Sequence, residues 1–340
     1  MEGSHINDFE YRHVLFFDVD DMPVACTSFY RATADMAITA PRWLRRLLNA
    51  IRRLWPGFFT VRIIECGTPV NMNSPGPAVP DETQVEAVIE ALHKLLIEEA
   101  RKDHRIVIVV RDFEPNAERW LDRLRQLGYH VMEGFPNTYL DIRWPTPEAY
   151  LAALKSYYRS KLMKHLRRNE ARDIRHELLD DFGHLADILH AQWMVVHNQA
   201  DEFQREVLTP AFYREFPARL PGRAKTILFY RGAALIGHAL LLHDGDLLRW
   251  MYFGRTEATN DSLYLYVIHK VVETAILLGA KRLELGTTTY PIKQDIGAQM
   301  VPLRFVLRSP YWLINPFVGL VHTLLNRTPP IRNRDVFKAS

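Results

Sequence analysis

Short apolar runs, each closed by Gly, Pro or Asp, divide the chain into strand and helix candidates. Residues 13–19 (HVLFFDV) and 23–29 (PVACTSF) are aromatic or β-branched runs on either side of Asp20-Asp21-Met22, the pattern of a hairpin. Over 41–55, Trp43, Leu44, Leu47, Leu48, Ile51, Leu54 and Trp55 recur at helical spacing. Arg42, Arg45, Arg46, Arg52 and Arg53 lie opposite, and Pro56-Gly57 stops this basic amphipathic helix. A strand at 60–65 leads into a Gly- and Pro-rich loop over 66–81, long enough to suggest function or mobility. A helix is expected over 82–102, with Val85, Val88, Ile89, Leu92, Leu95, Leu96 and Ala100 as its buried stripe. The almost wholly apolar 105–110 has the composition of a covered central strand. A helix over 116–127, ended by Gly128, and strands at 129–132 and 138–142 close this half.

Pro145 and Pro147 mark a boundary. Beyond it, 148–176 is predicted helical and heavily basic, and 184–216 helical up to Pro217 and Pro221. A hairpin at 225–230 and 233–243 follows. The stretch around which the rest is organised runs from 247 to 307. It contains an aromatic-rich strand at 247–253 and a polar loop at 254–261. Next come a helix over 263–278 stopped by Gly279, a strand at 282–285 ended by Gly286, and a loop carrying Tyr290, Pro291 and Lys293. Strand, loop, helix and strand in this order form a βαβ unit, which places ligands where strands end and helices begin. The same layout occurs at 60–142 and 225–307, a repeat of arrangement and not of letters. The fold class expected is mixed α/β in two units, each a mixed sheet flanked by helices. The first spans 1–145, a basic helical connector 146–224, the second unit 225–325 with an apolar end at 310–325, and a loose tail 326–340.

Composition narrows the class. The chain has 340 residues, 48% hydrophobic and 24% charged, enough for two ordinary cores. A net charge of +3 says little about partners, whereas local clusters of charge say more. The two cysteines, Cys26 and Cys66, lack metal-ligand spacing and are expected in packing roles within a reducing compartment. Asp18, Asp20 and Asp21 interrupt any N-terminal apolar run, and no long uninterrupted apolar window appears, so a cytoplasmic location is expected.

Three groups of residues could carry chemistry. Arg159, Lys161, Lys164, Arg167 and Arg168 form a cationic excess on one helix, suited to a phosphate-bearing ligand, or else a solvated face. Lys293, past a strand end, could steady a developing oxyanion, or else pair with Asp295 or Glu284. Tyr290 and Glu284 are candidates to take a proton from an amine nucleophile. Alternation also puts Arg282 and Glu284 on one face, where they could simply pair. His190, His197, His238 and His243 have no metal-site spacing, and no metal is expected.

The segment SLYLYVIHKVVETAILLGAKRLELGTTTYPIKQDIGA resembles the C-terminal half of double-domain GNAT acyltransferases, the group that includes the Fem-type peptidyltransferases. The resemblance rests on Tyr264, Gly279-Ala280, Gly286, Tyr290, Lys293 and Gly297. It implies two GNAT-like units and transfer of an acyl or aminoacyl group from an activated ester to an amine. Lys293, Tyr290 and Glu284 would be catalytic, and Tyr252 and Tyr264 would join the basic residues in binding substrate. It also implies no tightly bound cofactor, an amine-bearing small molecule or peptide precursor as acceptor, and no DNA. The loop 255–262 departs from the family: it lacks the glycines that cradle a coenzyme A pyrophosphate and carries two acids. An acyl-carrier protein or aminoacyl-tRNA therefore stands beside acyl-CoA as donor. The 41–55 helix and the apolar 310–325 add peripheral membrane contact, and a non-catalytic module binding RNA, a carrier protein or a membrane is the alternative function.

Overall fold

The computed structural model describes residues 9–35, 42–68, 77–199, 206–257, 262–325 and 328–338. In chain order the elements are β1 (Glu10–Phe17), β2 (Pro23–Asp35), α1 (Arg42–Arg52), β3 (Thr60–Cys66), α2 (Val85–Lys102), β4 (Val107–Phe113), α3 (Glu118–Gln126), β5 (His130–Glu133) and β6 (Asn137–Asp141). Then follow α4 (Pro147–Ala153), α5 (Ser156–Glu170), β7 (Ile174–Leu179), α6 (Ala186–Gln199), α7 (Pro210–Arg219), β8 (Ala224–Arg231), β9 (Ala234–Asp244) and β10 (Leu247–Arg255). The chain ends with α8 (Leu263–Leu277), β11 (Arg282–Glu284), α9 (Tyr290–Asp295), β12 (Gln299–Val301), β13 (Arg304–Arg308) and α10 (Asn315–Leu325).

Two compact units result, but not at the boundaries expected. The N-terminal unit comprises residues up to 135 together with 302–330, and the C-terminal unit comprises 136–301 with 331 onward. The basic helical segment is therefore part of the C-terminal unit and not a connector. Residues 302–325 belong to the N-terminal unit, and the supposedly loose tail folds back. Asn333 hydrogen-bonds both the N–H and the carbonyl of Met300, Lys155 pairs with Asp335, and Val336 is buried.

The sheet of the N-terminal unit runs β1-β2-β3-β4-β13-β5 and that of the C-terminal unit β12-β6-β11-β10-β9-β8-β7. In each, one parallel pair (β3 with β4, β10 with β11) is followed by a strand from the other half of the sequence and then an edge strand. The strand at 138–142, expected to close the first unit, instead joins β11 and β12, and β13 takes the matching place between β4 and β5.

Alternation along the central strands of the C-terminal sheet fills two cores. Ile227, Phe229, Ala239 and Leu241 face α4, α5 and α8, while Leu228 and Leu240 face α6 and α7. In the N-terminal unit Ile64, Cys66, Ile108 and Val110 pack on α2 and α3. The helix over 148–176 is two helices and then the edge strand β7. Its sequence IRHELL faces solvent at four central positions, so it carried no apolar alternation to read. Pro217, expected to end a helix, is buried inside α7.

Candidate active site

The site forms where β10 and β11 part. Their parallel register couples Leu247–Arg249 to Arg282–Glu284 only. Beyond it β10 bulges between Trp250 and Tyr252 and continues to Arg255, while the chain after Glu284 turns away at Gly286 with φ 81°. Strand ends that part in this way are where open α/β sheets place their ligand clefts. Ser262 and the first turn of α8 lie on one side. On the other the chain passes through Thr289, a β-branched residue held at φ 55°, into α9. Backbone in that region costs about 1–3 kcal/mol and concentrates at functional sites. The Tyr264 hydroxyl lies 3.2 Å from Thr289 Oγ1, and its ring stacks on Trp250 at 5.5 Å. These contacts join the start of α8 to the strained turn.

Lys293 lies within this frame and is 2% exposed. A Cβ on Gly286 would stand 3.8 Å from its Nζ, so the amine sits beneath the glycine turn. Both acids that could have neutralised it are occupied. Glu284 accepts from Asn137 Nδ2 at 2.9 Å and from Arg249 Nη1 at 2.6 Å. Asp295 accepts from Lys161 Nζ at 2.6 Å and also pairs with Arg334. Among the described residues the Lys293 side chain has no hydrogen bond or ion pair. Burial lowers its pKa from 10.5 to about 7, against a smaller opposing pull from Glu284.

The other sequence candidates divide. Glu284 is buried beside the site, but its partner is Arg249 across the parallel pair; Arg282 instead pairs with Asp141 and lies 3.8 Å over the Tyr139 ring. With both oxygens engaged, Glu284 anchors the strand end and is not an open proton acceptor. Tyr290 donates to the Pro136 carbonyl at 2.9 Å, and burial pushes its phenol up, so it keeps its proton. Tyr264 is held at the cleft, its pKa raised to about 12 chiefly by burial. Tyr252 faces away from these groups, against Trp193 and Phe212, with its hydroxyl on Glu206.

On α5, Leu162, Leu166 and Asn169 are buried and the cations face outward. Lys161 is tied to Asp295 two residues past Lys293, whereas the side chains of Arg159, Lys164, Arg167 and Arg168 have no partner among the described residues. His165 registers that excess: its pKa falls, first through burial and then through Lys161, Lys164 and Arg168.

Two groups escaped sequence reasoning. Arg249 is the Glu284 counterion, visible only once the register of two distant strands is known. Asn137, from the strand exchanged into this sheet, holds the other Glu284 oxygen and is fully buried. His238 closes a buried chain, 3.2 Å from the Tyr213 hydroxyl and 2.9 Å from Gln192 Oε1, and is structural. Cys66 is buried, but Cys26 is exposed and not packed as expected. Of the loop 255–262 only Arg255, Thr256, Glu257 and Ser262 fall within the described residues, as do only the ends of the 66–81 loop. Among the described residues no group of three His, Cys, Asp or Glu could hold a metal, and no helix is long and apolar enough to cross a membrane.

Residues 156–294, which contain the cleft, Lys293 and the basic strip, match the family described as "Acetyltransferase (GNAT) domain". The similarity to that family lies in this segment. A protein of Mycobacterium tuberculosis named as an 8-amino-7-oxononanoate synthase is 30% identical over 317 residues, which is 91% of this chain and 41% of that protein. The chain thus spans about two fifths of the length of the curated relatives it matches. Three solved structures share the fold. The C-terminal domain of an Agrobacterium fabrum protein named as a lysylphosphatidylglycerol synthetase has TM-score 0.57 and 11% identity, covering 92% of this chain and 89% of that one. FemX gives 0.56 and 12%, covering 88% of each. L-PGS from Bacillus licheniformis gives 0.53 and 9%, covering 92% and 88%. At these identities the likeness concerns fold alone.

Proposed function

We propose that the chain transfers an acyl or aminoacyl group from an activated ester to a primary amine in the C-terminal unit, with Lys293 as the catalytic residue. The observation that carries this reading is a buried lysine under the Gly286 turn whose two neighbouring acids are both engaged elsewhere. A lysine with a pKa of about 7 is partly neutral at physiological pH and can accept a proton. As the acceptor nitrogen bonds to the carbonyl carbon, the carbonyl electron pair moves to oxygen and the nitrogen's proton passes to Lys293. The resulting ammonium then faces the oxyanion until the carbon–sulfur or carbon–oxygen bond to the leaving group breaks. Lys293 thereby keeps the role of oxyanion partner that the sequence suggests and takes over the proton transfer assigned to Tyr290 or Glu284.

Arg159, Lys164, Arg167 and Arg168 would hold the phosphate-bearing part of the donor, which suits acyl-CoA, an acyl-carrier protein or aminoacyl-tRNA. GNAT domains typically take acyl-CoA, and the name lysylphosphatidylglycerol synthetase, carried by one structural relative, speaks for an aminoacyl donor with a lipid acceptor. A cytoplasmic location suits all three donors. The test presents each donor class with a panel of amines and reads product by mass spectrometry. Turnover that falls about a hundredfold or more in Lys293→Met supports the reading. The parent's kcat/KM should rise with pH through about 7, because the ammonium cannot accept a proton. Turnover unaffected by Lys293→Met overturns it, and a rate that falls as pH rises through 7 assigns the lysine to oxyanion stabilisation only.

A further inference from the structure

The N-terminal unit carries a helix that presents its apolar side outward. No charged residue occurs between Arg308 and Leu325. The inner side of this segment is held by its polar and small members. Asn315 donates to the Gly128 carbonyl at 3.0 Å and accepts from the Ser309 N–H at 2.8 Å, its own carbonyl lies 2.9 Å from His130 Nε2, and Gly319 lies close against the His130 ring. The outer side is large and apolar: Trp312 is 81% exposed, Leu313 63%, Phe317 62%, Leu320 56% and Val321 43%. Leu313, Phe317, Leu320 and Val321 follow the i, i+4, i+7, i+8 spacing of one helix face, with Trp312 at its tip. Ordinary surface helices are arranged the other way round.

We infer that this face docks on a phospholipid bilayer surface containing anionic lipid, lying in the headgroup boundary without crossing it. Two observations select lipid over a protein partner. Protein interfaces carry about one hydrogen bond per 100–200 Å² and a polar rim. Among the described side chains of this face the only hydrogen-bonding group is the Trp312 indole N–H, a group that favours the membrane–water boundary. The same unit also exposes a second tip of this kind at the end of α1, where Leu54 is 92% and Trp55 64% exposed beside Arg53. Arg46 and Arg53 are exposed, and their side chains have no partner among the described residues, leaving them open to lipid phosphates. The sequence pointed to 41–55 and to 310–325; the exposed area assigns the larger part to the latter. This inference does not depend on the catalytic reading, and its test reads no turnover.

The test is co-sedimentation of the full chain with vesicles of phosphatidylcholine alone or equimolar with phosphatidylglycerol, with brominated acyl chains added to quench tryptophan. Binding to the anionic vesicles with tryptophan quenching is the expected result, the share due to Trp312 lost in Trp312→Phe and that due to Trp55 left. Phe317→Ser should weaken partition about tenfold, the effect of withdrawing one large apolar side chain from lipid. Both side chains face solvent, so the variants should keep the parent circular dichroism, and Leu320→Ser serves as an independent second variant. No sedimentation with either vesicle, or sedimentation unchanged by both serine variants, overturns the inference. Concentration-dependent self-association that Phe317→Ser abolishes, without lipid binding, also overturns it and assigns the face to a second copy of the chain.

Discussion

Replacing Lys293 with methionine should make the protein more stable while it removes the activity. The side chain is 2% exposed and unpaired, so folding takes an amine of ordinary pKa 10.5 into a setting where it titrates at about 7. At about 1.4 kcal/mol for each tenfold change in proton affinity, that displacement costs at most about 5 kcal/mol, reached where both the folded and unfolded chains are protonated. The sign follows from proton counting. Between about 7 and 10.5 the unfolded chain holds the proton and the folded chain has released it, so the parent gains stability as pH rises across that window. Methionine matches the length and needs no proton. Its advantage should be about 2–4 kcal/mol at neutral pH, after allowance for the lost attraction to Glu284 and imperfect packing, and should shrink toward pH about 10. Native-state hydrogen exchange of β11 and α9 is the appropriate assay, because a chain of two units need not unfold in one step. A variant no more stable than the parent at neutral pH, or an advantage that does not diminish with alkali, refutes the account of an unpaired buried amine.

Tyr290→Phe should leave kcat/KM within a few-fold of the parent and lower stability by about 1 kcal/mol, since its hydroxyl serves the Pro136 carbonyl and not a proton transfer; steady-state kinetics and denaturation check both. Gly297→Ala should destabilise the C-terminal unit by about 2–4 kcal/mol, because a Cβ there would lie 2.2 Å from the Phe337 ring on backbone at φ 95°. Phe337→Ala in the same chain should recover part of that loss, measured by a double-mutant cycle.

Local chemistry was legible. The βαβ unit at 247–285 could be read because Gly279 and Gly286 punctuate it and the helix is apolar at the right period; both glycines adopt positive φ. Lys293 and Tyr264 lie in the same stretch; Tyr264 is tied to Thr289, and Lys293 is buried beside Gly286. What could not be read is where a strand finds its neighbour. β6 and β13 each looked like the closing strand of their own half, and nothing in five residues says which sheet will take them. For the same reason Arg282, on the same strand, was the obvious partner for Glu284, whereas the parallel register presents Arg249. Residues 328–338 looked loose because they are polar and Pro-bearing, and their anchorage depends on single residues, Asn333, Val336 and Phe337. α9 is six residues long and opens on Tyr290-Pro291, too short to show a period.

The exchange of β6 and β13 has a consequence for the life of the molecule. A cut in the peptide near residue 145, just after β6, would not free two proteins; each fragment would lack a blade of its own sheet and own one that belongs elsewhere. Nicked chains should stay associated until denatured, and separately made fragments should regain structure only when mixed. During synthesis the N-terminal sheet, whose first strands are made earliest, cannot be completed until the ribosome has passed Arg308, so an N-terminal half waiting on its last strand is the stage most open to pairing with a neighbouring copy.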